Sequence, residues 1–341
     1  MTDTTLTTAR TETGAAGPGV GPRTAVRGKI RGTFVDFSEL THKDTLLLRW
    51  SERDWEEELA DMRAAGLDLV ILARTMRFGR AYYYSDHFET MDETDYLGPF
   101  MRAAATVGMQ VFLSGMLSEH FFTADDAGFA RMLKRDLYIY ETVFAELLET
   151  YRGHPGIAGI YVSHEADNGN LASPLRREAA RVFFGDLYAR LKARWRLPIL
   201  CSPFFTKDIA AADFPRFWED FLDRPMFDII AMQDGVGCDR DISPEDIPQY
   251  YAGLHDVLHR KGVTFWNNVE TFSFHPGFRR SNNDRSKIWL HPAPLDRVDR
   301  QYRAGAPFVA STITWEYGHF LSRKQVGQDW YDAFRKWNTG P

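Results

Sequence analysis

Eight short apolar runs alternate along this chain with eight longer stretches of helical periodicity, and that order leaves few folds open. The runs are Ile30–Phe34, Leu67–Ala73, Met109–Leu113, Ile157–Ser163, Ile199–Ser202, Ile229–Gln233, Thr264–Val269 and Phe308–Thr314. Their length and their bounding glycines and polar residues read as buried strands. Between them, apolar residues recur at helical spacing. Trp55, Leu59 and Met62 share one face of a helix that begins at Ser51, where Ser51 and Asp54 have capping-box spacing. Leu133, Leu137, Tyr140, Phe144, Leu147 and Tyr151 mark a long helix over 125–151. Ser173-Pro174 and Ser243-Pro244 each place a proline where a helix tolerates it, at its first position. A last helix begins near Ser322 and carries Val326, Trp330, Phe334 and Trp337.

Strict strand–helix alternation builds a parallel sheet, and eight units close it, so the expected fold is a (β/α)8 TIM barrel. Connection lengths agree. Helix-to-strand links are short and carry glycine, as in Ala65-Gly66, Val107-Gly108, Lys261-Gly262 and Ala304-Gly305, which suits a helix C-terminus. Strand-to-helix links over 75–94, 165–172 and 271–294 are long, which marks one end of the barrel as the functional face. No glycine-rich phosphate loop favours an open, doubly wound sheet. A length of 341 residues fits one such domain. The expected division is a disordered tail over 1–27, rich in Thr, Gly, Ala and Pro, and a single barrel over 28–341.

Composition narrows the partners. A net charge of −6 without a basic stripe argues against nucleic acid. No run reaches membrane-spanning length and no apolar segment follows a basic start, so no membrane partner and a cytoplasmic location are expected. The two cysteines, Cys201 and Cys238, form neither a disulfide framework nor a zinc spacing. Oligomeric state has no signature here.

Glu165 and Glu270 close the fourth and seventh runs. A carboxylate at the end of a buried strand costs free energy unless it is satisfied or used. In a closed ring of eight, strand ends four and seven face each other across the mouth. Two carboxylates so placed suit cleavage of a glycosidic bond, one as proton donor and one as nucleophile. Asp36, Arg74, His164, Gln233, Asp234, Asn268, Trp315 and Glu316 lie at or beside other strand ends and are the expected contacts to a carbohydrate substrate. Arg74 is the expected cation beside Glu270, and Glu316 is its rival as nucleophile. Asn267 and Asn268 are adjacent, so at most one of them faces the interior. Asp234 precedes Gly235-Val-Gly237, a turn signature.

His120, His164, His275, His291 and His319 also follow strands, and with the carboxylates they could hold a divalent ion, as in a sugar isomerase. No His-Glu-x-x-His spacing occurs, and neither a metal nor another cofactor is expected. Arg279, Arg280, Arg285, Lys287 and Trp289 crowd the loop over 273–292, which could clamp an anionic group.

The acidic strand ends, Arg74 and the segment Thr-Ile-Thr-Trp315-Glu resemble clan A of the glycoside hydrolases. That resemblance implies Glu165 as acid/base, Glu270 as nucleophile, Trp315 as a wall of the sugar subsite and Arg74 as a contact to the nucleophile. Gly32-Thr-Phe-Val-Asp36, Ala-Gly66 before Asp-Leu-Val-Ile-Leu, and Trp-Asn-Asn-Val-Glu270-Thr-Phe resemble more closely a bacterial domain-of-unknown-function family grouped with these barrels. Two departures stand out. His164 occupies a position where the clan usually has Asn, and Gln233-Asp234 ends a strand where the clan often has Tyr. The expected function is that of a retaining glycosidase. A metal-dependent sugar isomerase or epimerase and a non-catalytic carbohydrate-binding barrel are the other classes open.

Overall fold

A computed structural model describes residues 28–37, 50–238, 241–274 and 290–341. Eight strands form its centre: β1 (Gly32–Val35), β2 (Leu69–Leu72), β3 (Gln110–Ser114), β4 (Ile157–Val162), β5 (Ile199–Cys201), β6 (Ile229–Gln233), β7 (Thr264–Glu270) and β8 (Ser311–Trp315). All pair in parallel and in chain order, and β1 closes the ring by pairing with both β2 and β8. The expected (β/α)8 barrel is the fold.

Helices cover the outside: α1 (Glu52–Ala64), α2 (Leu97–Val107), α3 (Asp126–Thr150), α4 (Pro174–Arg194), α5 (Phe214–Phe221), α6 (Ile247–Lys261), α7 (Leu295–Gly305) and α8 (Gln328–Thr339). Local chemistry sets their ends. Ser51 and Asp54 form the expected reciprocal capping box of α1, and α2 and α6 stop at Gly108 and Gly262 in the left-handed conformation.

Strand side chains alternate between two cores. Phe34, Leu69, Ile71, Phe112, Tyr161, Leu200, Ala231, Trp266 and Ile313 pack together inside the ring, which is therefore filled rather than open. Their neighbours Val35, Val70, Leu72, Val111, Val162 and Val269 belong to a larger layer beneath the helices. Gly159 makes room for the inner layer, since a Cβ there would lie 2.2 Å from the Phe112 ring. At the opposite end from the site, Asn338 of α8 bonds both backbone groups of Ile30 and the carbonyl of Ala65, which ties the last helix to the first strand.

Three local features differ from expectation. Ser243 does not open α6. Its backbone and hydroxyl bond the Asp246 carboxylate in a turn, and the helix starts at Ile247. The terminal helix is interrupted at Gly327 (φ +82°), which separates a short turn over Arg323–Val326 from α8. Two of the long strand-to-helix links contain hairpins, Met76–Arg77 with Arg80–Ala81 and Phe272–Phe274 with Leu290–Pro292. The tail expected over 1–27 lies outside the described residues. Among those described, no helix is long and apolar enough to cross a membrane.

Candidate active site

The phase of β7 decides which of its residues reach the barrel mouth. Trp266 packs in the inner core, so Asn268 and Glu270, two and four residues on, face the same way. Asn267 faces outward, where its side-chain Oδ1 accepts a hydrogen bond from the Tyr251 hydroxyl at 2.9 Å. Beneath the mouth, Asn268 Nδ2 donates to Ser202 Oγ (2.9 Å) and Gln233 Nε2 donates to the Ser202 carbonyl (2.8 Å). Polar side chains from β6 and β7 thus meet at the end of β5 and form a floor able to bond hydroxyl groups.

Glu270 is 1% exposed. Its Oε2 accepts the Gly237 amide at 2.6 Å, while Oε1 is buried with no hydrogen-bond partner among the described residues. Its carbonyl accepts from Arg297 Nη2 (2.9 Å) and Gln301 Nε2 (3.1 Å), both on α7. Asp234 lies alongside, fully buried. It accepts from Gln301 Nε2 (2.7 Å), from the Val236 amide (3.2 Å) and, more distantly, from the Glu270 amide (3.4 Å). Burial, and then the negative charge of Glu270, push the Asp234 carboxyl up to about 8. Burial pushes the Arg297 guanidinium down, against the opposing pull of Asp234 and Glu270.

Glu165 follows β4 by three residues and is half-buried. Its surroundings are legible from the groups it perturbs. The Cys201 thiol and the Tyr161 hydroxyl are pushed up by burial, and the charge of Glu165 adds to both shifts. Burial would lower Arg74, but the charges of Asp36, Tyr82 and Glu165 hold it above its ordinary value. Trp315, at the end of β8, stands in register with Glu270 and packs its ring 5.0 Å from that of Phe34. The Trp315–Glu316 peptide is cis.

One expected site residue has another partner than expected, and two stand elsewhere. Arg74 does not serve Glu270: its Nη2 bonds Asp36 Oδ2 at 3.1 Å, because the adjacent strand β1 offers the nearer carboxylate. Among the described residues, Arg297 bonds the Glu270 backbone carbonyl and feels the charge of its carboxylate. His164 faces away from the mouth. Tyr161 points inward and His164 is three residues further on, so its ring enters the layer under α3 and α4 and stacks on Phe183 at 5.1 Å. Glu316 is fully buried and caps the short helix Tyr317–Phe320, accepting the amides of Gly318 (2.9 Å) and His319 (2.7 Å) and pairing with the His319 ring.

The sequence pattern gave Gly237 only as part of a turn and did not single out Arg297 or Gln301. One signal was available for the latter: the four-residue spacing that puts Arg297 and Gln301 on one helix face. His275 and the basic loop residues Arg279, Arg280, Arg285, Lys287 and Trp289 lie outside the described residues. Among those described, no three of His, Cys, Asp and Glu gather to hold a metal ion.

Residues 30–326 match a family described as Domain of unknown function (DUF4434). No curated protein matches the chain. Among solved structures, an alpha-L-fucosidase candidate from Bacteroides thetaiotaomicron is 20% identical, with a TM-score of 0.72 over 95% of this chain and 99% of that one. A GH99 endo-alpha-mannosidase from the same organism is 10% identical, with a TM-score of 0.50 over 91% of this chain and 98% of that one. An endoglucanase from Pseudomonas stutzeri is 13% identical, with a TM-score of 0.50 over 92% and 94%. At these identities the likeness is one of fold.

Proposed function

The chain belongs to the DUF4434 family, and from that premise we propose that it is a retaining glycoside hydrolase acting on a carbohydrate or glycoside. One observation carries the reading: Glu270, on the inward phase of β7, is buried with one carboxylate oxygen held and the other unpartnered among the described residues. An oxygen in that condition is costly to maintain unless a reacting group meets it. Glycosidase barrels among the structural neighbours support the reading.

Glu165 is the proposed general acid and then base, and Glu270 the nucleophile. In the first step Glu270 bonds to the anomeric carbon, the bond from that carbon to the leaving oxygen breaks, and Glu165 protonates that oxygen. In the second, Glu165 takes a proton from water, which displaces Glu270 and restores the original configuration. Trp315 presents a ring face to the sugar, and Asp36, Arg74, Gln233 and Asn268 bond its hydroxyl groups.

A panel of aryl glycosides tests this. Glu270→Gln is expected to abolish turnover of every member. Glu165→Gln is expected to spare only the first step for glycosides with activated leaving groups, which need no protonation, giving a burst of released aglycone followed by slow hydrolysis of the intermediate, and to lose the rest. The first product anomer, followed by NMR, is expected to keep the substrate's configuration. Full activity in Glu270→Gln overturns the nucleophile assignment. Sugar binding without turnover by the wild type would favour a carbohydrate-binding barrel instead.

A further inference from the structure

Asp234-Gly235-Val236-Gly237 has the composition of an ordinary turn, yet its contacts converge on one side chain. We propose, on the glycosidase reading above, that this turn is a positioning clamp for Glu270, one that fixes Oε2 and leaves Oε1 as the oxygen that bonds to the anomeric carbon.

The polar atoms of Glu270 divide unevenly. Its amide approaches Asp234, its carbonyl accepts from Arg297 and Gln301, and its Oε2 accepts from Gly237. Oε1 alone is buried with no hydrogen-bond partner among the described residues. A carboxylate free to rotate would present either oxygen. Here the 2.6 Å bond to the Gly237 amide selects one rotamer.

The turn is built to deliver that amide. Asp234 Oδ1 accepts the Val236 amide at 3.2 Å, which folds the segment back toward β7. Gly235 sits at φ +73°, a conformation that suits glycine. Gly237 has no room for a side chain: a Cβ would lie 2.6 Å from the Phe272 carbonyl oxygen and 2.9 Å from the Glu270 Cβ. Asp234 also accepts from Gln301 Nε2, whose same nitrogen reaches the Glu270 carbonyl, so one residue braces both the turn and the backbone beneath the nucleophile.

The chemistry fits the asymmetry. An Oε1 lone pair forms the bond to the anomeric carbon, and the electron pair of the broken bond leaves on the departing oxygen, which Glu165 protonates. Oε2 becomes the carbonyl oxygen of the ester and keeps its amide donor throughout. Preorganisation of this kind acts on the rate of the chemical step rather than on affinity.

A 2,4-dinitrophenyl 2-deoxy-2-fluoroglycoside of the sugar that the aryl panel selects is a direct probe. Intact-protein mass reports ester formation, and peptide mapping places it on Glu270. Asp234→Ala and Gly237→Ala are expected to slow labelling by about tenfold to a hundredfold, the cost of a misplaced reacting atom, while affinity for the free sugar stays within about threefold. Asp234→Asn keeps an acceptor for the Val236 amide and is expected to restore most of the rate. If Gly237→Ala does not fold, the two Asp234 variants decide. Labelling of Asp234→Ala at the wild-type rate overturns the clamp and leaves the glycosidase reading standing. A wild type that never forms an ester on Glu270 overturns both.

Discussion

His164 Nε2 lies 2.9 Å from Asp136 Oδ2, and both side chains are fully buried between the barrel wall and α3. Asp136 also accepts from the Ser118 hydroxyl and from Arg135 Nε and Nη2, and Tyr140 reaches the other ring nitrogen of His164. The network fastens β3 and β4 to the helix that covers them, one residue before Glu165. Its bonds hold the His164 ring in the layer under α3 and α4.

That placement sets the first prediction. Burial alone would push Asp136 up, but its bonds from His164, Ser118 and Arg135 carry it below its ordinary value. A lowered carboxylate contributes stability that is present above the unfolded-state value of 3.8 and is lost as pH falls through the folded value. Asp136→Ala should therefore destabilise the fold near neutral pH by about 1–3 kcal/mol, the cost of leaving its buried hydrogen-bond partners unsatisfied. Urea denaturation measures it. Affinity for a sugar, measured on the folded fraction, should change by less than about twofold, since the change lies well under 1.4 kcal/mol of binding free energy.

Asp234 has the opposite sign. Its carboxyl is raised from 3.8 to about 8, so between those values the folded chain binds a proton that the unfolded chain has released. Stability from this group is full below about pH 4 and declines as pH rises toward about 8. The groups that face it are Glu270 on β7, Arg297 and Gln301 on α7, and Tyr251 on α6. Asp234→Asn should flatten that part of the stability curve. Thermal unfolding at several pH values would show it, and an unchanged slope in the variant would assign the dependence to another group.

Asn338 gives a prediction about closure. It makes three buried hydrogen bonds, to the Ile30 amide, the Ile30 carbonyl and the Ala65 carbonyl. Alanine there orphans backbone groups that water does not reach. At about 1 kcal/mol for each bond lost, Asn338→Ala should destabilise by about 2–4 kcal/mol. Hydrogen exchange should locate the loosening at β1 and α8, with the ends of β4 and β7 protected as before.

The barrel was legible because its pattern is local: period two in strands, period three to four in helices, glycine where helices stop. The site was legible only in part. Glu270 could be assigned to the interior once Trp266 was known to face inward, but β4 is apolar on both faces, so its sequence does not say whether Tyr161 or Val162 points in. His164 was therefore ambiguous from composition alone. Arg74 and Arg297 depend on which carboxylate lies within reach across the ring, a tertiary fact that no spacing encodes. Phe308 reads as strand, yet Ala306–Phe308 is a 3-10 turn that closes α7, and β8 begins at Ser311.

Glu316 and Glu270 are sequence rivals that the fold separates. Trp315 takes the inward position, so Glu316, next along the chain, turns out of the mouth and spends its carboxylate on two helix amides and the His319 ring. Glutamine can replace only one of the two acceptor oxygens and would press its amide nitrogen against an N–H donor. Glu316→Gln should thus lose about 1–2 kcal/mol of stability, the usual cost of a spoiled helix cap. Its kcat on an activated aryl glycoside should stay within a few-fold of the wild type, whereas Glu270→Gln should turn over none while melting close to the wild-type temperature. Measured side by side, a silent Glu316→Gln beside an active Glu270→Gln would reverse the assignment and move the nucleophile to β8.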